Sequence, residues 1–204
     1  PRGMGIVEKT VTSSLENSYP SRQQNFTPGS CGIVDKVEPF CNLKSFSLIV
    51  TIWPTTPNRG VQVLLGHQDL AGFRGFSIQL DEHGRLAAWL GTGDTEQTIK
   101  LEVPIRERTW YRVWLVYDHI TNTVSLGQHP LVAYLRQEAV NRSITATGFL
   151  PAGIEYPFSI AARIDRLKKR SAYFNGKIET PAVYAKAINL EKIANQSILL
   201  DHQQ

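Results

Sequence analysis

From residue 30 onward, apolar and polar positions alternate with a period of two. Phe46, Leu48, Val50 and Ile52 alternate with Ser45, Ser47, Ile49 and Thr51, which predicts a strand with one strongly apolar face. Pro54 stops it, because proline has no N–H to give to a ladder. Val61 to Leu65 is a short apolar run. Phe76, Ile78 and Leu80 alternate again, and Leu86, Ala88 and Leu90 run back after Asp81-Glu82-His83-Gly84. Gly84 can take a positive φ, so this tetrad predicts a hairpin turn. Ile99, Leu101 and Val103 make a further strand that stops at Pro104. Tyr111, Val113, Leu115 and Tyr117 alternate with Trp110, Arg112, Trp114 and Val116, and after a turn over 118–122 Val124 and Leu126 return. Phe158 and Ile160 start a later strand, and 174–178 and 183–185 supply the last two. About ten short strands at regular turn spacing predict an all-β, two-sheet antiparallel sandwich.

The ends of the chain differ from this middle. Residues 1–28 are polar, aperiodic and punctuated by Tyr19-Pro20 and Thr27-Pro28-Gly29, and are expected to form an irregular lead-in. The sandwich is expected over 29–190. A helical period returns at Leu190, Ile193, Ile198 and Leu199, which predicts a short C-terminal helix in a tail over 191–204. Asn189 stands where it can cap that helix, with Glu191 in its first turn. The stretch from His129 to Tyr156, with Pro130, Gly148, Pro151 and Gly153, is the least regular and is expected to be a connection crossing between the sheets.

Composition narrows the classes. The chain has 204 residues, enough for one large β domain, and 42% are apolar. No apolar run reaches the roughly 20 residues of a membrane-spanning helix, so no membrane partner is expected. The opening Pro1-Arg2-Gly3-Met4-Gly5 carries no secretory pattern, and the chain is expected to be cytoplasmic and a piece of a longer protein. Three sequons, at Asn25, Asn141 and Asn195, carry little weight in that setting. The net charge of +4 is scattered, apart from Arg163, Arg166, Lys168, Lys169 and Arg170. That cluster reads as a solvated loop between strands, because no aromatic residues interleave it as single-strand nucleic-acid binding needs. Cys31 and Cys41 do not make a metal motif. They are either one disulfide or two small apolar residues.

No catalytic constellation is recognisable. Sugar hydrolysis needs two carboxylates facing one cleft, and same-face neighbours on a strand are i and i+2. Asp94 and Glu96 have that spacing but follow Gly91 and Gly93 in an expected loop, and Asp81 and Glu82 sit in a turn. The five histidines form neither His-x-His nor His-Glu-x-x-His, so no zinc site is expected. No Gly-x-Ser-x-Gly elbow is present, and Gly91-Thr92-Gly93-Asp94 reads as a turn rather than a phosphate loop. His67 and Asp69, at the end of an apolar strand, are candidates for a carbohydrate or metal contact, against a plain polar strand end. The four Trp are the stronger candidates. Trp53, Trp89, Trp110 and Trp114 all fall on the face opposite the apolar set of their strands. There they either stack on sugars or pack against a neighbouring domain.

The last third of the sandwich is more specific. Phe174-Asn175-Gly176-Lys177-Ile178-Glu179, then Val183-Tyr184-Ala185-Lys186-Ala187-Ile188, then Glu191-Lys192-Ile193 resembles the closing signature of laminin-G-like, concanavalin-A-like jelly rolls. The departures are Glu179 for Asp and Ile188 for Leu. Tyr19-Pro20-Ser21-Arg22-Gln23, Phe46-Ser47-Leu48, Ile52-Trp53-Pro54-Thr55-Thr56-Pro57, Gly60-Val61-Gln62, Leu86-Ala87-Ala88-Trp89-Leu90-Gly91 and Trp110-Tyr111 are similar to the large subunit of the bacterial N,N-dimethylformamidase family, over nearly the whole chain. That resemblance implies a non-catalytic accessory jelly roll with a structural or subunit-contact role. It places an iron-dependent amide hydrolase region elsewhere in the same polypeptide, so no cofactor is expected in this chain and its partners are the remaining domains or subunits. A lectin-like carbohydrate-binding module, with glycans as partners, is the alternative, and an autonomous glycosidase is a third reading.

Overall fold

The computed structural model describes residues 29–34, 36–191 and 193. The expected lead-in over 1–28, and the tail beyond Ile193, lie outside the described residues. Thirteen strands follow in chain order: β1 (Gly32–Val34), β2 (Phe46–Pro54), β3 (Gln62–Asp69), β4 (Arg74–Leu80), β5 (Arg85–Gly91), β6 (Glu96–Pro104), β7 (Tyr111–Asp118), β8 (Thr123–Pro130), β9 (Val140–Thr145), β10 (Phe158–Ile160), β11 (Arg163–Ile164), β12 (Arg170–Ser171) and β13 (Gly176–Tyr184). One helical turn, α1 (Glu38–Cys41), joins β1 to β2. A six-stranded sheet has the order β1-β10-β3-β4-β5-β6 and a five-stranded sheet the order β13-β2-β7-β8-β9, all antiparallel. The expected two-sheet antiparallel sandwich is the observed one.

The period of two decides what lies between the sheets. Phe46, Leu48, Val50 and Ile52 from β2, and Tyr111, Val113, Leu115 and Tyr117 from β7, face Phe76, Ile78 and Leu80 from β4 and Leu86, Ala88 and Leu90 from β5. Most of these side chains are completely buried. At about 25 cal/mol per Å² of apolar surface, each large one contributes about 1.5–3 kcal/mol. Phe46 and Phe76 stack across the two sheets with centroids 4.6 Å apart, and Phe149 closes on both from a connecting segment.

Two expectations are corrected. The two strands expected at the C-terminal end are one strand, β13, paired with β2 from Gly176↔Pro54 to Tyr184↔Ser47. Its register shifts between Glu179 and Ala182, where Thr180 takes φ +47° and Pro181 has no N–H to pair. This is a bulge that bends the strand without ending it. The irregular stretch from His129 to Tyr156 is likewise not one connection. β8 continues to Pro130, a 3₁₀ turn spans Ala133–Glu138, and β9 forms the far edge of the five-stranded sheet. The alternation of β9 is hidden because Arg142 occupies the register position opposite Leu126. Arg142 donates to the Lys100 carbonyl of β6, so a charged side chain helps close the sandwich where the two sheet edges meet. Only the segment from Ala146 onward crosses between sheets.

The hairpin at Asp81 shows how local chemistry sets the register. One Asp81 carboxylate oxygen accepts the His83 and Arg85 N–H groups at 2.9 Å each, and the other accepts Arg85 Nε. Burial alone would raise the pKa of Asp81, but these bonds overcome it and hold the carboxyl below its usual value. The carboxyl is almost fully buried, so its loss leaves several donors without an acceptor. Asp81→Ala is expected to destabilise the fold by about 2–3 kcal/mol in urea unfolding. Glu82→Ala, on the exposed neighbour, is expected to change it by less than about 0.5 kcal/mol.

Candidate functional site

The outer face of the five-stranded sheet collects three of the four Trp. Register places its residues in rows across the strands. Glu179, Thr51, Arg112 and His129 form one row, and Ala182, Ile49, Trp114 and Gly127 the next. Trp53 pairs with Lys177, whose ammonium lies 5.0 Å from the indole centroid. Trp110, just before β7, approaches Trp53 with centroids 6.5 Å apart. Trp53 and Trp110 are half-buried.

Half of this face is already covered. Ile49, Trp114 and Val116 pack beneath Ile193, with Ala187, Ile188 and Leu190 alongside. Ser47 Oγ pins the covering segment, donating to the Lys186 carbonyl and accepting the Ile188 N–H. Asn189 accepts the Glu191 N–H at 2.8 Å, as a helix cap does. Trp114 lies flat over Gly127, where a Cβ would stand 2.1 Å from the indole ring. Trp114 is thus an anchor for the chain's own C-terminal segment, and only 4% exposed.

The uncovered border holds polar groups without partners. Thr51 Oγ1, Arg112 Nε and Trp114 Nε1 are buried and find no hydrogen-bond partner among the described residues. Burial pushes the Arg112 guanidinium below its usual range, and among the described residues the Tyr184 phenol acts against it while no carboxylate does. Neither Thr51, Arg112 nor Lys177 stood out among the candidate residues of the sequence. Arg112 was nevertheless visible there, since it shares the parity of Trp110 and Trp114. The place of Lys177 depends on the pairing of β13 with β2, which no local pattern reveals.

The other candidates lie apart. Trp89 is on β5 of the six-stranded sheet, 5% exposed, and its indole N–H donates to Glu96. It therefore shares no surface with Trp53. His67 is not at a strand end but inside β3, paired with Phe76 and fully buried. Its ring lies against Phe40 and Phe76, and its Nε2 donates to the Tyr156 carbonyl at 3.0 Å. Asp69 Oδ1 accepts the Gly72 N–H and closes the β3–β4 turn. Both residues tie the crossing segment and the turn to β3 rather than opening onto a cleft.

The remaining charges are held in structure. Asp94 is exposed, while Glu96 is engaged by Trp89. Arg163, first of the basic cluster, belongs to β11 and donates to Gln68 and Gln79 of the six-stranded sheet. The turn that follows is closed by Asp165, which accepts the Leu167 and Lys169 N–H groups. A shallow cavity of about 420 Å³ is lined by Arg106, Glu107, Thr109, Tyr134 and Leu135, and Glu138 neutralises its arginine. Among the described residues no three His, Cys, Asp or Glu side chains converge as metal ligands, and no disulfide joins Cys31 and Cys41. No described helix is long and apolar enough to cross a membrane.

Two antiparallel sheets packed face to face, with an aromatic outer face partly covered by the C-terminal segment, define a jelly-roll β-sandwich. The family model for the concanavalin A-like lectin/glucanases superfamily, of the laminin-G type, matches residues 34–194. The chain belongs to that superfamily. It is 31% identical over 212 residues to the N,N-dimethylformamidase beta subunit of Paracoccus aminophilus, covering 94% of this chain and 27% of the relative. It is 26% identical over 223 residues to the beta subunit of the same name from an Alcaligenes species, covering 98% and 28%. The chain therefore spans about a quarter of the length of these curated relatives, both named as beta subunits. Among solved structures, the CBM40 of the Ruminococcus gnavus IT-sialidase bound to alpha2,3 sialyllactose superposes with a TM-score of 0.67 over 84% of this chain and 93% of that one. At 16% identity that likeness is one of fold.

The buried His67 supplies a pH test. Burial pushes its imidazole below the usual value, against the opposing pull of the Tyr156 carbonyl, so the folded state binds a proton less readily than the unfolded chain. The unfolded chain takes up that proton near pH 6.5. Stability from this group is therefore complete above about pH 6.5 and falls as the pH drops below it, by at most about 1.4 kcal/mol per pH unit. Urea unfolding at pH 7.5 and 5.5 is expected to show this loss in the native chain, and His67→Gln is expected to flatten it.

Proposed function

We propose that this chain is the non-catalytic jelly-roll region of an amide hydrolase polypeptide of the N,N-dimethylformamidase type, in its large subunit. Its role is to hold contacts with the remaining domains or subunits, and its expected compartment is the cytoplasm. The observation that carries the reading is coverage. The likeness to the Paracoccus aminophilus beta subunit runs through 94% of this chain but only 27% of the relative, so this chain corresponds to one slice of a larger polypeptide.

The chemistry of the described residues supports the same division of labour. Among the described residues no three His, Cys, Asp or Glu side chains come together as the implied iron would need. His67 Nε2 is committed to a backbone carbonyl, Asp81 to its own hairpin, and Glu96 to Trp89. We assign the metal and the hydrolytic residues to other parts of the parent polypeptide, as the family resemblance implies. The half-buried Trp53 and Trp110 suit a contact role, because such side chains combine large apolar area with a polar edge.

The alternative is a lectin-like carbohydrate-binding module. It draws on the same Trp53–Trp110 pair with Lys177 beside it, and on the fold shared with a module that binds sialyllactose. The two readings separate in direct assays. The purified 204-residue chain is expected to release no dimethylamine from N,N-dimethylformamide while the parent enzyme does; turnover by the chain alone overturns the accessory reading. Calorimetric titration of the chain with 3′-sialyllactose is expected to give no heat of binding. A saturable signal lost in Trp53→Ala would favour the lectin reading instead.

A further inference from the structure

The outer face of the five-stranded sheet is divided at Arg112. On one side the C-terminal segment covers Ile49, Trp114 and Val116. On the other, Trp53, Trp110 and Lys177 stay partly open. Along the border, Thr51 and Arg112 are direct register partners on β2 and β7, and Trp114 is the next residue on the same face of β7. Each of these three side chains keeps a buried polar atom without a hydrogen bond.

The chemistry of these groups says what is missing. A guanidinium and an indole N–H only donate, and the Thr51 hydroxyl can donate. The absent partner is therefore an acceptor, and beside a guanidinium the acceptor that binds best is an anion, with a carboxylate able to take two parallel bonds. Arg112 is the half-buried member of the row and the one through which such a group reaches it. Glu179 stands in the same row but two strands away, and Arg112 senses no charge from it. The aromatic pair alongside requires an apolar surface next to the acid. These are the features of a protein interface with one desolvated charge pair at an apolar centre.

We propose that this uncovered half-face is the surface on which the rest of the parent polypeptide docks, and that the docked element places an Asp or Glu carboxylate against Arg112 with an apolar neighbour over Trp53 and Trp110. The proposal rests on the accessory-region reading. The relatives carry some three-quarters of their length outside the part this chain matches, which is ample polypeptide to cover the face. The described chain also runs onto this same face, since Ile193 sits on its covered half.

Hydroxyl-radical footprinting with residue-level mass spectrometry, applied to the 204-residue chain and to the parent enzyme, tests this. Trp53 and Trp110 are expected to oxidise at least several-fold more slowly in the parent, whereas Trp114, already covered, is expected to react equally slowly in both. In the parent, Arg112→Gln and Arg112→Glu are expected to bring Trp53 and Trp110 back towards the rate seen in the chain alone, and Arg112→Lys to keep part of the protection. Thermal melting of the same variants in the 204-residue chain establishes that they fold. Equal oxidation of Trp53 and Trp110 in chain and parent overturns the docking face. Protection that survives both Arg112→Gln and Arg112→Glu overturns the carboxylate. Protection of Trp53 in the chain by 3′-sialyllactose, with none in the parent, overturns docking in favour of a glycan. The accessory reading itself fails on a different result, amide turnover by the chain alone.

Discussion

The stacking of Phe46 on Phe76 holds the two sheets together, and the rest of the molecule is arranged around it. Phe46 belongs to β2 of the five-stranded sheet and Phe76 to β4 of the six-stranded sheet, and both are fully buried. Tyr117 and Phe149 pack on Phe46, and Phe149, Phe158 and His67 pack on Phe76. One aromatic cluster therefore joins both sheets, the crossing segment and the inner face of β3. Aromatic pairs of this kind add about 0.5–1.5 kcal/mol each beyond the area they bury. The cluster also explains the lowered basicity of His67: it occupies an aromatic position in the core, with the Tyr156 carbonyl as a partner.

Once the inner faces are sealed, the outer faces meet different fates. On the six-stranded sheet, polar residues lie under the β11–β12 hairpin. There Gln68 Nε2 donates to Ser77 Oγ, Ser77 donates to Gln79, and Arg163 donates to both glutamines. Buried polar groups that satisfy one another this way make a structural layer. On the five-stranded sheet the corresponding layer is incomplete. The C-terminal segment supplies apolar cover and two hydrogen bonds to Ser47, but among the described residues nothing answers Thr51, Arg112 and the Trp114 indole. The two outer faces thus differ in how completely the described residues satisfy their buried polar groups.

Strand parity was legible along most of the chain, and with it the inner face of each long strand. It also assigned Trp53, Trp110, Trp114 and Arg112 to outer positions. Parity failed where a local rule was overridden by a neighbour. β9 was hidden because Arg142 interrupts its apolar positions and finds the Lys100 carbonyl across the sandwich edge. β13 read as two strands because Thr180 and Pro181 look like a stop, whereas the ladder to β2 resumes at Ala182. His67 read as a strand end because its polarity conceals an aromatic packing role.

The sequence by itself determined that this chain is a two-sheet antiparallel sandwich, because side-chain alternation is a local property of extended backbone. It determined the hairpin at Asp81-Glu82-His83-Gly84 for the same reason, as the turn carries its own acceptor and its own glycine. Only the tertiary structure decided which tryptophans share a surface. Trp89 is parted from Trp53 by sheet order, and Trp114 is removed from solvent by a segment some 75 residues further along the chain, facts set by long-range pairing and packing. It also decided that Arg112 stands half-buried without an acid among the described residues, because a charge partner is a matter of distance in space, which alternation along a strand does not encode.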